Sequence, residues 1–264
     1  VLVLPKGLSN DVYPAVKLIN EQIHDGWREN QITPARPATD VEYIRRATLD
    51  IVGRIATLAE VQEYMRWPKA KRRAMLVEKL LKSPDYARHW ANMWTNWLLS
   101  RAGVFGRGMY HDQTARWLED QFASNAKWDK IVTKLLTAKG ANTDNGAVNF
   151  ILAHVGERTV DPRQVRDRNK VRELLKERGQ FEMVPITSRI TRLFLGIQTQ
   201  CTQCHDHPFD GNLKQEHFWG INAFLRQVER QGNLPQRRQD TLTALTLNIN
   251  TGVNLDAVVK YEKR

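Results

Sequence analysis

The sequence is poor in cysteine and contains no long hydrophobic run. Only two of its 264 residues are cysteines, which excludes a disulfide-rich scaffold and any metal site built from four cysteines. No segment reaches the roughly 18 consecutive apolar residues of a transmembrane helix, and residues 1–4 are apolar but too few for a complete signal peptide. The GxSxG, P-loop, Rossmann and HExxH signatures are also missing, so no hydrolase or transferase chemistry is indicated.

Basic residues outnumber acidic ones, with 40 Lys+Arg against 29 Asp+Glu and a net charge of +11. This excess is compatible with an anionic partner, and an anionic polysaccharide is one candidate. The two most basic runs are residues 69–73 (KAKRR) and 161–179, and both are interpreted mainly as solvated surface. In residues 161–179 acidic side chains interrupt the basic ones, which favours an exposed helix with i,i+4 ion pairs. No nucleic-acid-binding signature is present, so nucleic acid is not favoured.

The spacing of apolar residues predicts a mainly α-helical, multi-helix domain. Helix starts are predicted at three places: Asp40 as an N-cap, Thr57 with Glu60 as a capping box, and Pro68 in a first turn. Ser83-Pro84-Asp85 predicts a further helix opening. The remaining predicted segments are helices at residues 12–27, 113–125, 127–137, 186–200 and 214–228 and a glycine-rich loop at 103–108.

Three segments are predicted along the chain. Residues 1–38 form an N-terminal helix and a linker, and residues 39–230 form the helical domain that carries both cysteines. Residues 231–264 form a short β-rich tail, because residues 242–259 alternate in polarity and are rich in Thr, Val and Asn. This tail is expected to lead into a further region of a longer protein.

Both cysteines lie in one pentapeptide, CTQCH, at residues 201–205. Cys-x-x-Cys-His is the attachment signature of c-type haem. The thiols of Cys201 and Cys204 would add to the two vinyl groups of the haem, and His205 would supply an axial nitrogen to the iron. The sequence therefore predicts one covalent haem c. Because such haem is attached outside the cytoplasm, an extracytoplasmic location, periplasmic or at the cell surface, is expected.

Other uses of the same residues stay open. A zinc site would have to combine Cys201, Cys204, His205 and His207, a spacing that closes with difficulty around one tetrahedral ion. A thioredoxin-like redox pair would require a preceding strand in a βαβ unit, which the pattern does not show. A structural disulfide between the two cysteines is a further alternative. With a metal ion or a disulfide in this loop, the chain would be a haemless structural or binding module. A polyanion- or carbohydrate-binding module is the third hypothesis.

Four blocks of sequence resemble the cytochrome-c-like domain of large planctomycete surface proteins. The block FLG at residues 194–196 followed by CTQCHDHPFD at 201–210 is similar to the FLG and CxQCHxHPF signature of that family. HFWGINAF at residues 217–224 resembles its aromatic helix, and SPDYARHW at 83–90 resembles its SPEYAxxW block. YIRR at 43–46 and LDIVGR at 49–54 resemble its opening, although Ala56 stands where the family has proline. The resemblance covers roughly residues 15 to 230 and implies no defined reaction.

The resemblance implies a haem site made of Cys201, Cys204 and His205, to which His207 and Phe209 belong as neighbouring residues. The sixth iron ligand is not defined by it. His89, beside an aromatic helix face, and His154, in an apolar run, are the candidates if the iron is ligated by two histidines. A haem ligated on both faces favours electron transfer to a redox partner protein, whereas an open face permits redox sensing or a haem-dependent redox activity.

Overall fold

The computed structural model describes residues 14–99, 106–154, 166–169, 183–231 and 246–249. Within these residues the protein is mainly helical, as the apolar spacing predicted. The α-helices are α1 (Pro14–Glu29), α2 (Asp40–Val52), α3 (Leu58–Arg66), α4 (Arg72–Leu81), α5 (Pro84–Leu99), α6 (Gly106–Ala123), α7 (Trp128–Thr137), α8 (Asn149–Leu152), α9 (Val184–Phe194) and α10 (Gln215–Leu225). Short 3-10 helices cover Gly146–Val148 and Gln200–Gln203, and the strands are β1 (Gly140–Ala141), β2 (Val228–Gln231) and β3 (Thr246–Ile249).

The chain divides within α5 into two compact units, Val1–His89 and Trp90–Arg264. The core of the first unit is formed by α2, α3 and α4, whose inward side chains are almost completely buried. These core residues are Ile44, Val52, Tyr64, Leu76 and Leu80. The sequence-based limits of three segments stay a prediction, since two compact units do not by themselves define domains.

Capping boxes start two helices of the first unit. The box predicted at Thr57 and Glu60 is confirmed, since each side chain bonds to the backbone N–H of the other residue. The prediction for α2 was wrong by one residue, because Thr39 is the cap and pairs in the same way with Glu42. Asp40 is instead the first helical residue, and its carboxylate accepts hydrogen bonds from Tyr64 Oη at 3.0 Å and Arg72 Nη1 at 3.2 Å.

A glycine and an arginine connect the end of α2 to the helices beside it. Gly53 has a left-handed φ of +74°, and a β-carbon placed on it would overlap Nδ1 of His89. Arg54 donates two hydrogen bonds of 2.9 Å to the Glu60 carboxylate and one of 3.0 Å from Nε to Asp85. The segment LDIVGR therefore fixes how α2 ends and how α3 and α5 begin.

Several boundaries differ from the sequence-based prediction, and two of the differences involve proline or glycine. The helix predicted to start at Pro68 begins at Arg72. Pro68 instead opens a turn, and its carbonyl accepts the N–H groups of Lys71 and Arg72. The loop predicted at residues 103–108 is helical from Gly106 onward, while residues 103–105 lie outside the described residues. Proline at residue 68 opens a turn ahead of α4, and the first turn of α6 contains glycine although glycine is unfavourable in a helix. Neither residue type therefore marks the helix boundary at its own position.

The second unit has its own core, in which α5, α6, α7, α8 and α9 bury apolar side chains. Its fully buried members include Leu98, Leu118, Leu135, Phe150 and Ile186. A smaller cluster of Val184, Phe218 and Trp219 joins α9 to α10. These two helices flank the cysteines, as predicted, and so the second unit positions the candidate site.

A small antiparallel sheet of order β1-β3-β2 belongs to the second unit. Gly140 pairs with Leu247, and Val228 pairs with Ile249. Of the segment 231–264, which was expected to be rich in strands, the structure describes only residue 231 and residues 246–249. The β-rich tail therefore stays a prediction beyond these four-residue strands.

Candidate functional site

The chain turns sharply between α9 and the first cysteine. Gly196 takes a left-handed φ of +68°, which a glycine adopts without steric cost. The N–H groups of Leu195 and Ile197 both donate to the Thr191 carbonyl at 3.1 Å. The hydroxyl groups of Thr191 and Thr199, both buried, lie 2.7 Å apart and are hydrogen-bonded. The FLG segment thus returns the chain to the last turns of α9 just before the pentapeptide.

The two residues between the cysteines hold the pentapeptide onto the protein. Thr202 is buried, and its hydroxyl donates to the Thr199 carbonyl at 2.7 Å. The Gln203 carbonyl accepts a hydrogen bond of 3.0 Å from Trp219 Nε1 and one of 3.2 Å from Gln215 Nε2. Because these anchors point inward, the 3-10 turn presents its other residues to solvent.

Both cysteine side chains are exposed, and both are free thiols. The N–H of Cys204 donates to the Cys201 carbonyl at 3.4 Å, so one short turn connects the two residues. The thiols are therefore accessible to a reagent or cofactor from outside the protein, and they lie on a backbone segment fixed by Thr202 and Gln203.

The ring of His205 has a defined tautomer. Its Nδ1 lies 2.6 Å from the backbone carbonyl oxygen of Asp206. A carbonyl oxygen only accepts hydrogen bonds, so Nδ1 carries the proton and donates it. In the neutral ring the lone pair then lies on Nε2. Metal-ligating histidines are oriented in this way, by donating their other ring N–H to a carbonyl or carboxylate.

The side chain of Asp206 caps α10. Its Oδ1 accepts the N–H of Gln215 at 3.0 Å, and its Oδ2 accepts Lys214 Nζ at 3.1 Å. The hydrogen bond from Gln215, followed by that from Lys214, lowers the pKa of Asp206 below its ordinary value. Asp206 therefore caps α10, whereas Asp210 accepts only within its own turn, from the N–H of Asn212 at 3.0 Å.

His207 organises the loop that follows. Its Nδ1 accepts the N–H groups of Phe209 at 3.3 Å and Asp210 at 3.1 Å, and its own N–H donates to the Leu213 carbonyl at 2.9 Å. Nδ1 is an acceptor, so the neutral ring carries its proton on Nε2 and has no lone pair left for a metal. Phe209 is 94% exposed and packs its ring edge-to-face with His207 at 6.2 Å.

The two candidates for a sixth ligand lie in different surroundings. His89 is half-buried on α5 in the first unit, against Gly53. His154 is fully buried in the core of the second unit, where its Nε2 lies 2.8 Å from the Leu98 carbonyl and its ring contacts Phe150. Iron ligation through Nε2 of His154 would require this hydrogen bond to break. The sixth ligand stays a prediction.

Zinc and haem iron need different numbers of protein ligands. A structural zinc ion takes four protein ligands, and the described part of the chain contains no group of three or more His, Cys, Asp or Glu side chains that could hold an ion. A haem iron receives four nitrogens from the porphyrin and needs only one or two from the protein. The zinc alternative therefore gains no support within the described residues, and the haem hypothesis is unaffected.

The charged runs can be placed only in part. Arg72 Nη1 and Arg73 Nε of the run 69–73 lie 3.2 and 3.7 Å from the carboxylate of Asp40, so two of its cations share one ion-pair partner within the first unit. Of the run 161–179, only residues 166–169 are described, and all four are exposed.

The residues that anchor the site could not be predicted from the sequence. Thr191, Thr199, Gln215 and Trp219 act through hydrogen bonds to a hydroxyl or a backbone carbonyl, and such contacts have no sequence motif. Trp219 lies 16 residues from its acceptor, Gln203. The one available signal was the FWG segment at residues 218–220, which marked an apolar helix face but not the partner of the indole N–H.

Comparison with known families identifies the class of the protein. Residues 18–230 match PSCyt2, described as a protein of unknown function (DUF1549). The match covers most of the 264 residues, so the chain belongs to this planctomycete-type family. No curated protein and no solved structure matches the sequence. None of the helices that the structure describes is long and apolar enough to cross a membrane.

Proposed function

We propose that the chain carries one covalent haem c in an extracytoplasmic compartment and serves in electron transfer or redox sensing. Cys201 and Cys204 would form the thioether bonds, and His205 would bind the iron through Nε2. When bound, haem supplies reversible one-electron chemistry at its iron. The observation that carries the proposal is the combination of two exposed thiols on one turn with an adjacent imidazole whose Nε2 lone pair is free.

The residues present fit the chemistry of the group. Thioether formation requires two accessible thiols, and both cysteines are exposed. Axial ligation requires an unprotonated ring nitrogen, which the hydrogen bond to the Asp206 carbonyl provides on His205. His207 cannot compete for the iron in this tautomer, and its Nε2–H is a donor that suits a carboxylate such as a haem propionate.

Exposed apolar side chains beside the pentapeptide add support. Leu195 is 59% exposed, Ile197 is 36% exposed and Phe209 is 94% exposed, and all three lie within six residues of a cysteine. Covering apolar surface stabilises a protein by about 25 cal/mol per Å². A porphyrin attached to the thiols is an apolar body that could cover part of this surface, which would stabilise both the haem and the loop.

The test is maturation of the chain in an extracytoplasmic compartment that contains a c-type haem attachment system. We expect the purified wild type to show the reduced pyridine haemochrome band of one covalent haem per chain. The single variants Cys201→Ser and Cys204→Ser should each lose one thioether, and the double variant should lose all covalent haem. His205→Gln should keep the covalent haem but change its absorption spectrum, whereas the matched control His24→Gln, on α1, should change neither.

A preparation that matures a known c-type cytochrome in parallel, yet yields this chain without haem, would contradict the proposal. One zinc per chain without iron would favour the haemless module instead. Binding to heparin or DNA that weakens with salt would favour the polyanion-binding hypothesis.

A further inference from the structure

We propose that Asp206 is a positioning residue that holds the ring of His205 with its Nε2 lone pair free. The residue acts through two groups at once. Its backbone carbonyl accepts Nδ1–H of His205 at 2.6 Å, and its carboxylate is bonded to the start of α10. That this arrangement prepares His205 as an iron ligand rests on the proposed function. The hydrogen bonds are present in the chain itself and do not depend on that function.

The carboxylate is what links the exposed segment at 204–206 to a fixed element. The amide of Gln215 lies nine residues ahead and is the first in α10, a helix held by the buried side chains of Phe218 and Trp219. A first-turn N–H has no partner inside its helix, and the helix dipole favours a negative charge there. Asp206 satisfies both demands, and Lys214 Nζ, at 3.1 Å, holds its second oxygen.

Fixing the carboxylate also fixes the carbonyl of the same residue. The side chain of Asp206 cannot stay on Gln215 while its peptide rotates freely, so the carbonyl oxygen keeps its direction toward Nδ1 of His205. The tautomer of His205 therefore depends on the hydrogen bond between its neighbour Asp206 and the more distant Gln215.

The neighbouring histidines show that this tautomer is not general in the site. His207 accepts two backbone N–H groups at Nδ1, and His217 accepts the N–H of Lys214 at Nδ1, at 3.1 Å. Both rings therefore carry their proton on Nε2 when neutral. Of the three histidines between residues 205 and 217, His205 alone presents an unprotonated Nε2, and Asp206 is the residue that makes the difference.

A substitution at Gln215 separates the capping bond from the rest of the site. Gln215→Pro removes the N–H that Asp206 accepts, and proline is favoured at the first helical position. Lys214, with φ −93° and ψ 155°, already has the extended backbone required before proline. The substitution also removes the side-chain contact to Gln203, so Gln215→Ala is the matched control: it loses that contact but keeps the N–H.

The measurement is the ¹⁵N spectrum of the imidazole nitrogens in the full chain without haem, in alkaline buffer where the rings are neutral. We expect His205 to carry its proton on Nδ1 in the wild type and in Gln215→Ala. In Gln215→Pro this tautomer should be lost in favour of the Nε2–H form, while His207 keeps its Nε2–H tautomer throughout. A Gln215→Pro chain in which His205 retains the Nδ1–H tautomer overturns the inference.

A second pair of variants decides the same question if Gln215→Pro does not fold by circular dichroism. Asp206→Asn keeps an oxygen that can accept the Gln215 N–H and should retain the Nδ1–H tautomer, whereas Asp206→Ala should lose it. Retention in both variants overturns the positioning role.

Covalent haem content, measured separately on matured protein, distinguishes the two proposals. If the tautomer responds as expected but no haem is attached, the haem function alone fails. If haem is attached but the tautomer does not respond, the positioning role alone fails.

Discussion

At the scale of single residues, the pentapeptide divides its work between chemistry and anchoring. Cys201, Cys204 and His205 face solvent, while Thr202 and the carbonyl of Gln203 hold the turn in place. The chemical residues were predictable because their types and spacing form a motif. The anchors were not, because the contribution of Gln203 is a backbone carbonyl whose partner lies on another helix.

The ion pair of Glu60 gives the first unit a stability that depends on pH. The guanidinium of Arg54, with further hydrogen bonds from Thr57, lowers the pKa of Glu60 from 4.5 to about 2. Because the pKa of Glu60 is lower in the folded protein than in the unfolded one, the ion pair stabilises the fold fully above pH 4.5. This stabilisation is lost as the pH falls from 4.5 toward 2. Glu60→Gln keeps the capping box but not the charge, so we expect it to be about 0.5–1 kcal/mol less stable at neutral pH.

Urea denaturation at a series of pH values checks this prediction. The difference between wild type and Glu60→Gln should shrink below pH 4.5, because the wild-type carboxylate is then progressively protonated. Glu63→Gln, on the same helix and in an exposed pair with Lys79, is the control and should have a smaller effect at neutral pH. A Glu60→Gln difference that is the same at every pH would contradict the assignment.

At the scale of elements, helix starts that are marked by a capping side chain were easier to predict than the end of α9. The capping box at Thr57 and the opening at Ser83 were confirmed because a cap is a local interaction between a side chain and a nearby N–H. The end of α9 was predicted at residue 200 but lies at Phe194. The reason is Gly196, whose left-handed φ reverses the chain and whose role depends on the Thr191–Thr199 contact beyond it.

Alanine substitution at three glycines should give three different results. Gly53→Ala should destabilise by about 2 kcal/mol or more, because φ is +74° and the new methyl group would overlap the His89 ring. Gly196→Ala should cost about 1 kcal/mol, since φ is +68° but the new methyl group would have no neighbouring atom within 4 Å. Gly26→Ala, inside α1 with open space around it, should be neutral or stabilising by up to about 1 kcal/mol.

Chemical denaturation of the three variants provides the measurement, and the ranking is the result that matters. Equal effects of Gly53→Ala and Gly196→Ala would show that the His89 ring moves aside without cost.

The hydroxyl pair of Thr191 and Thr199 should behave asymmetrically. Thr191→Val leaves the buried hydroxyl of Thr199 without its partner, at an expected cost of about 1–3 kcal/mol. Thr199→Val should cost about 1 kcal/mol or less, because Thr191 can still donate to the Ser188 carbonyl at 3.1 Å. The double variant should be no less stable than Thr191→Val alone, since it leaves no buried hydroxyl unsatisfied.

A double-mutant cycle in urea measures this coupling. Thr133→Val is the control, because that hydroxyl is exposed and bonds only within its own helix, to Asp129. Additive effects of the two core substitutions would contradict a direct hydrogen bond between Thr191 and Thr199.

At the scale of the whole molecule, the helical class was predictable and the division into two units was not. Apolar spacing reports which face of each segment is buried, so most helices could be placed from the sequence alone. The division after His89 lies inside the continuous helix α5, where no proline, glycine or polar loop marks it. Which helices share a core depends on long-range packing, which local patterns do not encode.

The central claim, covalent haem on the CTQCH segment, is tested most directly by the intact mass of the matured chain under denaturing conditions. We predict a mass that exceeds the polypeptide by one haem, and the loss of that increment when Cys201 and Cys204 are both replaced by serine. A wild-type mass equal to that of the bare polypeptide, from cells that attach haem to another c-type cytochrome, would contradict it.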